Sequence, residues 1–297
     1  MRNASTSRLA CVVALVTVLA GCTSQPARIR PGATTLTAAA AALITRTGTY
    51  YQDELLFKRI ENRLSDACMA AAGFTVTTTD LPRADEEWRP MRSERERDGY
   101  RLRSSADSED TSPTAAYLRS LPPGRQEQFH TALLGPDADR AAITLRGGTE
   151  YSFPGSGCVA DARGRIFGDP MQAARIDHLA QDYHNNGYLE AVKDPAYQRA
   201  LSGWAGCMAA KGHPYASPQK AKESLAAEYG PDAPPTASPH EIEVALADAD
   251  CAAQARVGET VEGLLRTYAE HLDATGIAEL NALAVLRQDA ARRAQGL

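Results

Sequence analysis

The amino-acid sequence predicts a mostly α-helical fold: a compact multi-helix domain with one short β-hairpin, cross-linked by two disulfides and preceded by a cleaved signal peptide. Three observations support this prediction. The 297 residues include 54 alanines but only 18 aromatic residues, and alanine is the best helix former and fills little volume. Helix-start signals recur along the chain, and four cysteines follow Cys22, which comes directly after an apolar leader. We therefore expect many closely packed helices around a thin core.

The leader, residues 1–21, has the features of a bacterial export signal. Arg2 and Arg8 supply positive charge, and the apolar stretch Leu9–Leu19 is too short to cross a bilayer as a helix. The leader runs into Leu19-Ala20-Gly21-Cys22, which resembles the lipobox of bacterial lipoproteins. That resemblance implies cleavage before Cys22 and lipidation of its thiol. Ordinary secretory cleavage, with Cys22 unmodified, is the alternative.

Lipidation would place the protein at the extracytoplasmic face of the cell membrane. Residues 22–34, which comprise the lipidated Cys22 and a polar stretch with two prolines, then form a flexible tether. Residues 35–297 form a single α-helical domain. The first expected partner is membrane lipid, bound through the acylated Cys22, because a multiply acylated cysteine anchors a protein better than one chain does.

The first helix of the domain is predicted over residues 53–72. Its apolar residues recur every four positions at Leu56, Ile60, Leu64 and Cys68, which draws one face of a helix. A start as early as Leu36 also fits the pattern.

A hairpin is predicted between residues 143 and 153. Two short β-prone runs, Ile143-Thr144-Leu145 and Tyr151-Ser152-Phe153, flank Gly147-Gly148. Glycine adopts the positive φ that a tight turn needs.

The first residue of four further helices can be predicted from the sequence. In each of them an Asp or Ser, which can accept a backbone hydrogen bond, directly precedes a proline that suits the first helical position. Ser238 is also followed three residues later by Glu241, which predicts a capping box. The four pairs are Asp169-Pro170, Asp194-Pro195, Ser217-Pro218 and Ser238-Pro239.

The sequence also permits predictions for the C-terminal region, for residues 80–112 and for the number of domains. Apolar residues keep a helical spacing from Val261 to Leu286, and Gly276 either breaks or weakens that run. Residues 80–112 are highly charged with few aliphatic side chains, which predicts a polar loop. We expect one domain, with two sub-domains divided near residue 168 as the alternative.

The four cysteines after Cys22 are predicted to form two disulfides, because an even number of cysteines in an exported chain indicates that they are paired. Three connectivities exist. Cys68-Met69-Ala70-Ala71-Ala72-Gly73 matches Cys207-Met208-Ala209-Ala210-Lys211-Gly212 at five of six positions, and each glycine suits the left-handed end of a helix. If the two segments are equivalent, Cys68 pairs with Cys158 and Cys207 with Cys251. The nested and crossed sets stay open, as does chance recurrence of the motif.

These segments carry a resemblance to secreted actinobacterial lipoproteins of unknown function. Such proteins have a helix ending in Cys-Met-x-x-x-Gly, a Gly-Cys helix start, a Trp before a second Cys-Met segment and an Ala-Asp-x-x-Cys helix. Here the matching features are Cys68-Met69 with Gly73, Gly157-Cys158, Trp204 with Cys207-Met208 and Gly212, and Ala247-Asp248-Ala249-Asp250-Cys251. The resemblance covers roughly residues 53–290. The resemblance implies only membership of this group of lipoproteins. It implies no activity, because the function of the group is unknown.

Motifs for chemistry are sparse. The net charge of −5 argues against a nucleic-acid partner. The zinc spacings His-Glu-x-x-His and Cys-x-x-Cys do not occur, nor does a Gly-x-Ser-x-Gly elbow or a glycine-rich phosphate loop. The best local cluster is Asp177-His178 with Asp182 and His184, in which His178 and Asp182 would share a helix face. We predict a solvated face there, no catalytic residue, no metal site and no cofactor.

The sequence therefore predicts a membrane-anchored lipoprotein with a non-enzymatic binding or structural role in the cell envelope. A cell-envelope protein or cell-wall component is the expected partner besides lipid. The alternative is a cell-envelope hydrolase whose acid and base residues are dispersed along the chain.

Overall fold

The structure, a computed structural model, describes residues 35–76, 92–102, 112–230 and 236–297. The predicted leader, Cys22 and the tether lie outside these residues. The described part contains thirteen α-helices and one two-stranded antiparallel sheet. The mostly α-helical fold with a single hairpin and two disulfides is thus confirmed. The helices are α1 Ala38–Thr45, α2 Tyr50–Ala71, α3 Arg92–Asp98, α4 Pro113–Ser120, α5 Pro123–Leu134, α6 Gly157–Phe167, α7 Pro170–Ala174, α8 Ala180–Ala191, α9 Pro195–Ala210, α10 Pro218–Ala226, α11 Pro239–Gln254, α12 Val257–Glu270 and α13 Ala274–Gln295.

The N-terminal apolar run is divided into two helices. α1 ends at Arg46, whose φ of 54° is left-handed, and Gly48 adds a second positive φ before α2 starts at Tyr50. A single helix starting near Leu36 is therefore wrong, while the predicted helix over 53–72 is confirmed within α2.

The hairpin forms where the sequence predicts it. Strands β1 Ala141–Thr144 and β2 Glu150–Phe153 pair with Ile143 opposite Tyr151. Gly148 in the turn has a φ of 83°. Ile143 and Phe153 are buried against the core residues of α1, α8 and α13, so the hairpin packs onto the helices through one face.

All four predicted helix caps are formed, because each Asp or Ser accepts a backbone hydrogen bond from its helix. The capping box at Ser238 is wrong in one half. Ser238 N donates to the Tyr229 hydroxyl at 2.8 Å instead of to Glu241. The Glu241 side chain turns inward and accepts from Tyr100 N at 2.7 Å.

The polar loop at 80–112 needs a correction. Residues 92–98 form α3, which packs on α11, and its Glu94 and Arg95 are buried. Ion pairs and backbone bonds make this possible in a segment with few aliphatic residues: Arg101 lies 3.5 Å from Glu94, and the Arg95 guanidinium donates to Gly99 O at 3.2 Å. Residues 77–91 and 103–111 lie outside the described part of the chain.

The C-terminal run is broken, but not at Gly276. The break falls between α12 and α13, where Asp273 caps α13 by accepting from Gly276 N at 2.7 Å. Gly276 is a buried residue of the first turn of α13.

The structure has the disulfides Cys68–Cys158 and Cys207–Cys251, which is the pairing expected if the two Cys-Met segments are equivalent. The first joins α2 to α6 and the second joins α9 to α11. The described residues fall in one compact unit. Within them, we find no helix that is both long enough and apolar enough to span a bilayer.

Candidate functional site

A π-helical segment, Arg175–Leu179, interrupts the helix between α7 and α8. π-helical segments are rare in proteins, and many of those that occur lie at functional sites. This one carries Asp177 and His178, the pair that the sequence singles out. We therefore take its surroundings as the candidate site.

The His178 imidazole stacks on Tyr151 of the hairpin, with ring centroids 3.5 Å apart. Tyr151 is 42% exposed although it is a large aromatic residue. Burial lowers the pKa of His178, and Arg163 lowers it further against the opposite effect of Asp177. The imidazole is therefore neutral at neutral pH.

Arg163 of α6 joins two carboxylates that are far apart in the sequence. Its guanidinium forms an ion pair with Asp177 and lies 3.5 Å from Glu61 of α2. Burial disfavours the charged guanidinium, but the two carboxylates outweigh burial and raise the pKa of Arg163. Both carboxylates are therefore engaged by the same cation.

His178 and Asp182, which the sequence was expected to place on one helix face, have different partners. Asp182 accepts a hydrogen bond from Arg146 N at 3.2 Å and one from the Asn186 side chain at 3.2 Å. The π-helical turn changes the angular spacing between positions 178 and 182, so an argument from α-helical spacing fails here. Asp177, not Asp182, is the carboxylate that acts on His178.

His184 lies apart from this cluster. It is only 4% exposed, and its Nδ1 is 2.8 Å from the carbonyl oxygen of Ile44 in α1. The predicted solvated face is therefore wrong for His184.

A second group of polar residues is buried where α3 and α9 meet α11. Glu241 is fully buried and accepts from Tyr100 N, from Leu102 N and from the Tyr229 hydroxyl. Trp204 Nε1 donates to Asp248 Oδ1 at 2.8 Å, and burial raises the pKa of Asp248. These contacts attach a polar helix to the core.

An open groove of about 730 Å³ runs beside the Cys68–Cys158 disulfide. Small residues of α2 and α6 form most of its wall, with Asp161, Arg165 and Asp169 as the charged members. Asp169 is already engaged as the cap of α7, since it accepts from Gln172 N at 2.7 Å. The groove lining includes neither Asp177 nor His178.

No group of three or more His, Cys, Asp or Glu side chains in the described ranges is placed to hold a metal ion. Several residues of the candidate site escape sequence reasoning. Glu61, Arg163 and Tyr151 come from three distant segments and carry no local motif. Trp204 and Asp248 belong to the segments that resemble secreted lipoproteins, so the sequence did draw attention to both residues. The resemblance did not indicate that they bond to each other.

Comparison with known proteins finds no matching family model, no matching curated protein and no matching solved structure. The class defined by the fold is a helical domain cross-linked by two disulfides.

Proposed function

We propose that this protein is a membrane-anchored lipoprotein of the extracytoplasmic face of the cell membrane, whose helical domain is a non-enzymatic binding or structural module. The observation that carries the proposal is the use of cysteine. Cys68, Cys158, Cys207 and Cys251 are all taken up in disulfides. Disulfides persist in oxidising compartments outside the cytoplasm.

The number of cysteines also supports the proposed anchor at Cys22. The chain has six cysteines, and the two outside the disulfides are Cys11 and Cys22. Cys11 lies in the apolar part of the export signal, so cleavage would remove it. Cys22 would then be the one thiol of the mature chain left for an acyl group, at the position that the lipobox resemblance assigns to it.

The arrangement of ionisable groups favours a module over a hydrolase. A dispersed acid–base site needs carboxyl or imidazole groups that converge on a cleft and stay free to exchange protons. Glu61 and Asp177 instead share Arg163, and His178 is stacked on Tyr151. The recognition surface that we propose is the exposed side of Tyr151 and the groove beside the first disulfide.

The anchor is tested by mass spectrometry of the mature N-terminus and by fractionation of cells. We expect an acylated Cys22 and a protein that stays with membranes after a high-salt wash. Cys22→Ala should abolish both results, whereas the matched change Cys11→Ala should leave both intact. A mature chain that starts elsewhere, or an unmodified Cys22, would refute the anchor.

The module is tested separately from the anchor. A double variant, His178→Ala with Asp182→Ala, should retain the cellular phenotype of the wild type as long as it folds, because no chemistry is assigned to the pair. Cross-linking of the anchored protein in its native envelope should capture a cell-envelope or cell-wall partner. Loss of function in a folded, anchored double variant that still captures the partner would favour the hydrolase, because His178 also supports Tyr151 of the proposed recognition surface.

A further inference from the structure

The first helix of the domain, α1, differs from its neighbours in composition. Its sequence is Ala-Ala-Ala-Ala-Ala-Leu-Ile-Thr, without a charged side chain. It packs against α8, α12 and α13, where Ala40 and Ile44 are fully buried. It is also the first helix after the tether, so any pull on an anchored Cys22 would reach the domain through it.

Polar contacts hold α1 at its two ends. At the start, the Asn281 side chain of α13 accepts from Thr37 N at 2.9 Å and donates to Thr35 O at 3.0 Å. At the end, His184 of α8 lies 2.8 Å from the Ile44 carbonyl oxygen. The first contact does not titrate, but the second contains an imidazole.

The charged group that acts on His184 is Arg46, which follows α1 directly and bonds to Gln181 of α8. Four other charged side chains of the packed elements have partners elsewhere. On α8, Asp182 accepts from Arg146 N; on the π-helical segment, Asp177 pairs with Arg163; on α12, Glu262 pairs with Arg266; and on α2, Glu54 pairs with Arg287. A proton on His184 would therefore place a second positive charge beside Arg46 at a buried site.

Burial is the main cause that lowers the pKa of His184 from 6.5 to about 4; Arg46 acts in the same direction, and the bond to Ile44 opposes both. Once α1 moves away, the imidazole loses both Ile44 and Arg46 as neighbours and titrates near its ordinary value. The closed state then binds fewer protons than the open state between about pH 4 and pH 6.5. Acid therefore favours the open state, and the docked state is tightest above pH 6.5.

We propose that His184 is an acid-sensitive latch on α1, and that its protonation increases undocking of this helix from the domain. The consequence for reach rests on the proposed anchor at Cys22. Undocking of residues 38–47 would lengthen the tether by roughly 30 Å when that segment is extended. The opening itself does not depend on lipidation.

The size of the effect follows from the two protonation equilibria. With an imidazole that titrates near 6.5 in the open state and near 4 in the closed state, the opening equilibrium constant of α1 rises about 30-fold between pH 7.5 and pH 5. Local opening of this kind is measured by amide hydrogen exchange.

The experiment is hydrogen exchange with mass spectrometry on the full-length protein in detergent, with rates corrected for the intrinsic effect of pH. We expect peptides covering residues 38–45 to show the 30-fold increase in opening at pH 5, with a much smaller change in α12 and α13. His184→Gln keeps a side-chain donor for Ile44 but cannot take up a proton, so the increase should fall below 3-fold. The matched control His178→Gln should keep the full increase.

A second variant keeps the test decisive if His184→Gln folds poorly. Arg46→Gln removes the positive neighbour, which brings the pKa of His184 closer to its ordinary value and should reduce the pH effect. An unchanged 30-fold increase in folded His184→Gln would overturn the latch. An equal increase along α12 and α13 would overturn it as well, because acid would then loosen the whole core. Neither result bears on the anchor, which the N-terminal mass decides by itself.

Discussion

The two Cys-Met segments end their helices in the same way but build different surroundings. Phe74 N bonds to Met69 O and His213 N bonds to Met208 O, both at 2.9 Å. Gly73 and Gly212 follow at φ of 79° and 89°. These are two copies of one Schellman end. Local structure therefore repeats wherever this six-residue sequence occurs.

The partner helices do not repeat between the first half of the molecule, where α2 is joined to α6, and the second half, where α9 is joined to α11. Cys158 is the second residue of α6, whereas Cys251 lies near the end of α11. In the first half, the contacts Cys68–Cys158 and Phe57–Phe167 run in opposite directions along the two helices. In the second, Trp204–Asp248 and Cys207–Cys251 run in the same direction. One disulfide thus joins antiparallel helices and the other joins helices of similar direction.

The two cores differ in polarity as well. Around Met69 the buried residues are apolar, and Phe74 meets Phe129 edge to face at 5.4 Å. Around Met208 the core includes Trp204, whose indole bonds to the buried carboxyl of Asp248. A repeated helix end therefore does not imply a repeated domain. Matched variants in the two halves measure how far the equivalence of the two helix ends extends.

Removal of the disulfides should give the largest effect. Cys68→Ser with Cys158→Ser opens a loop of sequence separation 90, and Cys207→Ser with Cys251→Ser opens one of 44. Loop-closure entropy predicts losses of about 4.6 and about 4 kcal/mol in the free energy of unfolding. Urea unfolding of each double variant measures both losses. A loss below about 1 kcal/mol in either half would mean that its bridge contributes little.

Truncation of the two buried methionines comes next. Met69 and Met208 are both fully buried, so Met69→Ala and Met208→Ala should each cost about 2–5 kcal/mol. Thermal and urea unfolding give the two values. Similar costs would support equivalent packing at the helix ends. A difference above about 2 kcal/mol would show that the two cores accommodate a cavity differently.

The polar contact of the second half should have a smaller effect, with no counterpart in the first. Trp204→Phe keeps the aromatic volume approximately but leaves a buried Asp248 oxygen without its donor, at a cost of about 1–3 kcal/mol. In an Asp248→Ala background the same change should cost less. A double-mutant cycle in urea measures the coupling between the two side chains. Equal costs in both backgrounds would contradict the bond.

The glycines of the two helix ends should give the smallest effect and the closest match. A methyl group at Gly73 or Gly212 would meet no atom within 4 Å, so only the positive φ resists alanine. We expect Gly73→Ala and Gly212→Ala each to cost about 1–2 kcal/mol. The matched control is Gly206→Ala inside α9, where there is also open space and alanine should stabilise the helix by about 1 kcal/mol. Stabilisation at Gly73 or Gly212 would contradict the left-handed end.

Sequence patterns predicted what depends on neighbours along the chain. Asp169, Asp194 and Ser217 cap the helices that they precede because the acceptor and the orphan amide lie two or three residues apart. The hairpin around Gly148 has the same local origin. The candidate site was predicted only in part. His178 was singled out, but it was grouped with Asp182 on one helix face because the π-helical turn was not anticipated.

The sequence by itself determined the helical fold, the helix ends, the hairpin and the cysteine supply for two bridges, since these follow from propensities and short-range hydrogen bonds. Only the tertiary structure decided that Glu241 leaves its capping box for Tyr100, that Arg163 joins Glu61 to Asp177, and that His184 lies under Ile44. The physical reason is that a buried polar group bonds to whichever partner packing brings within reach. Those partners lie on other helices, up to 141 residues away in sequence.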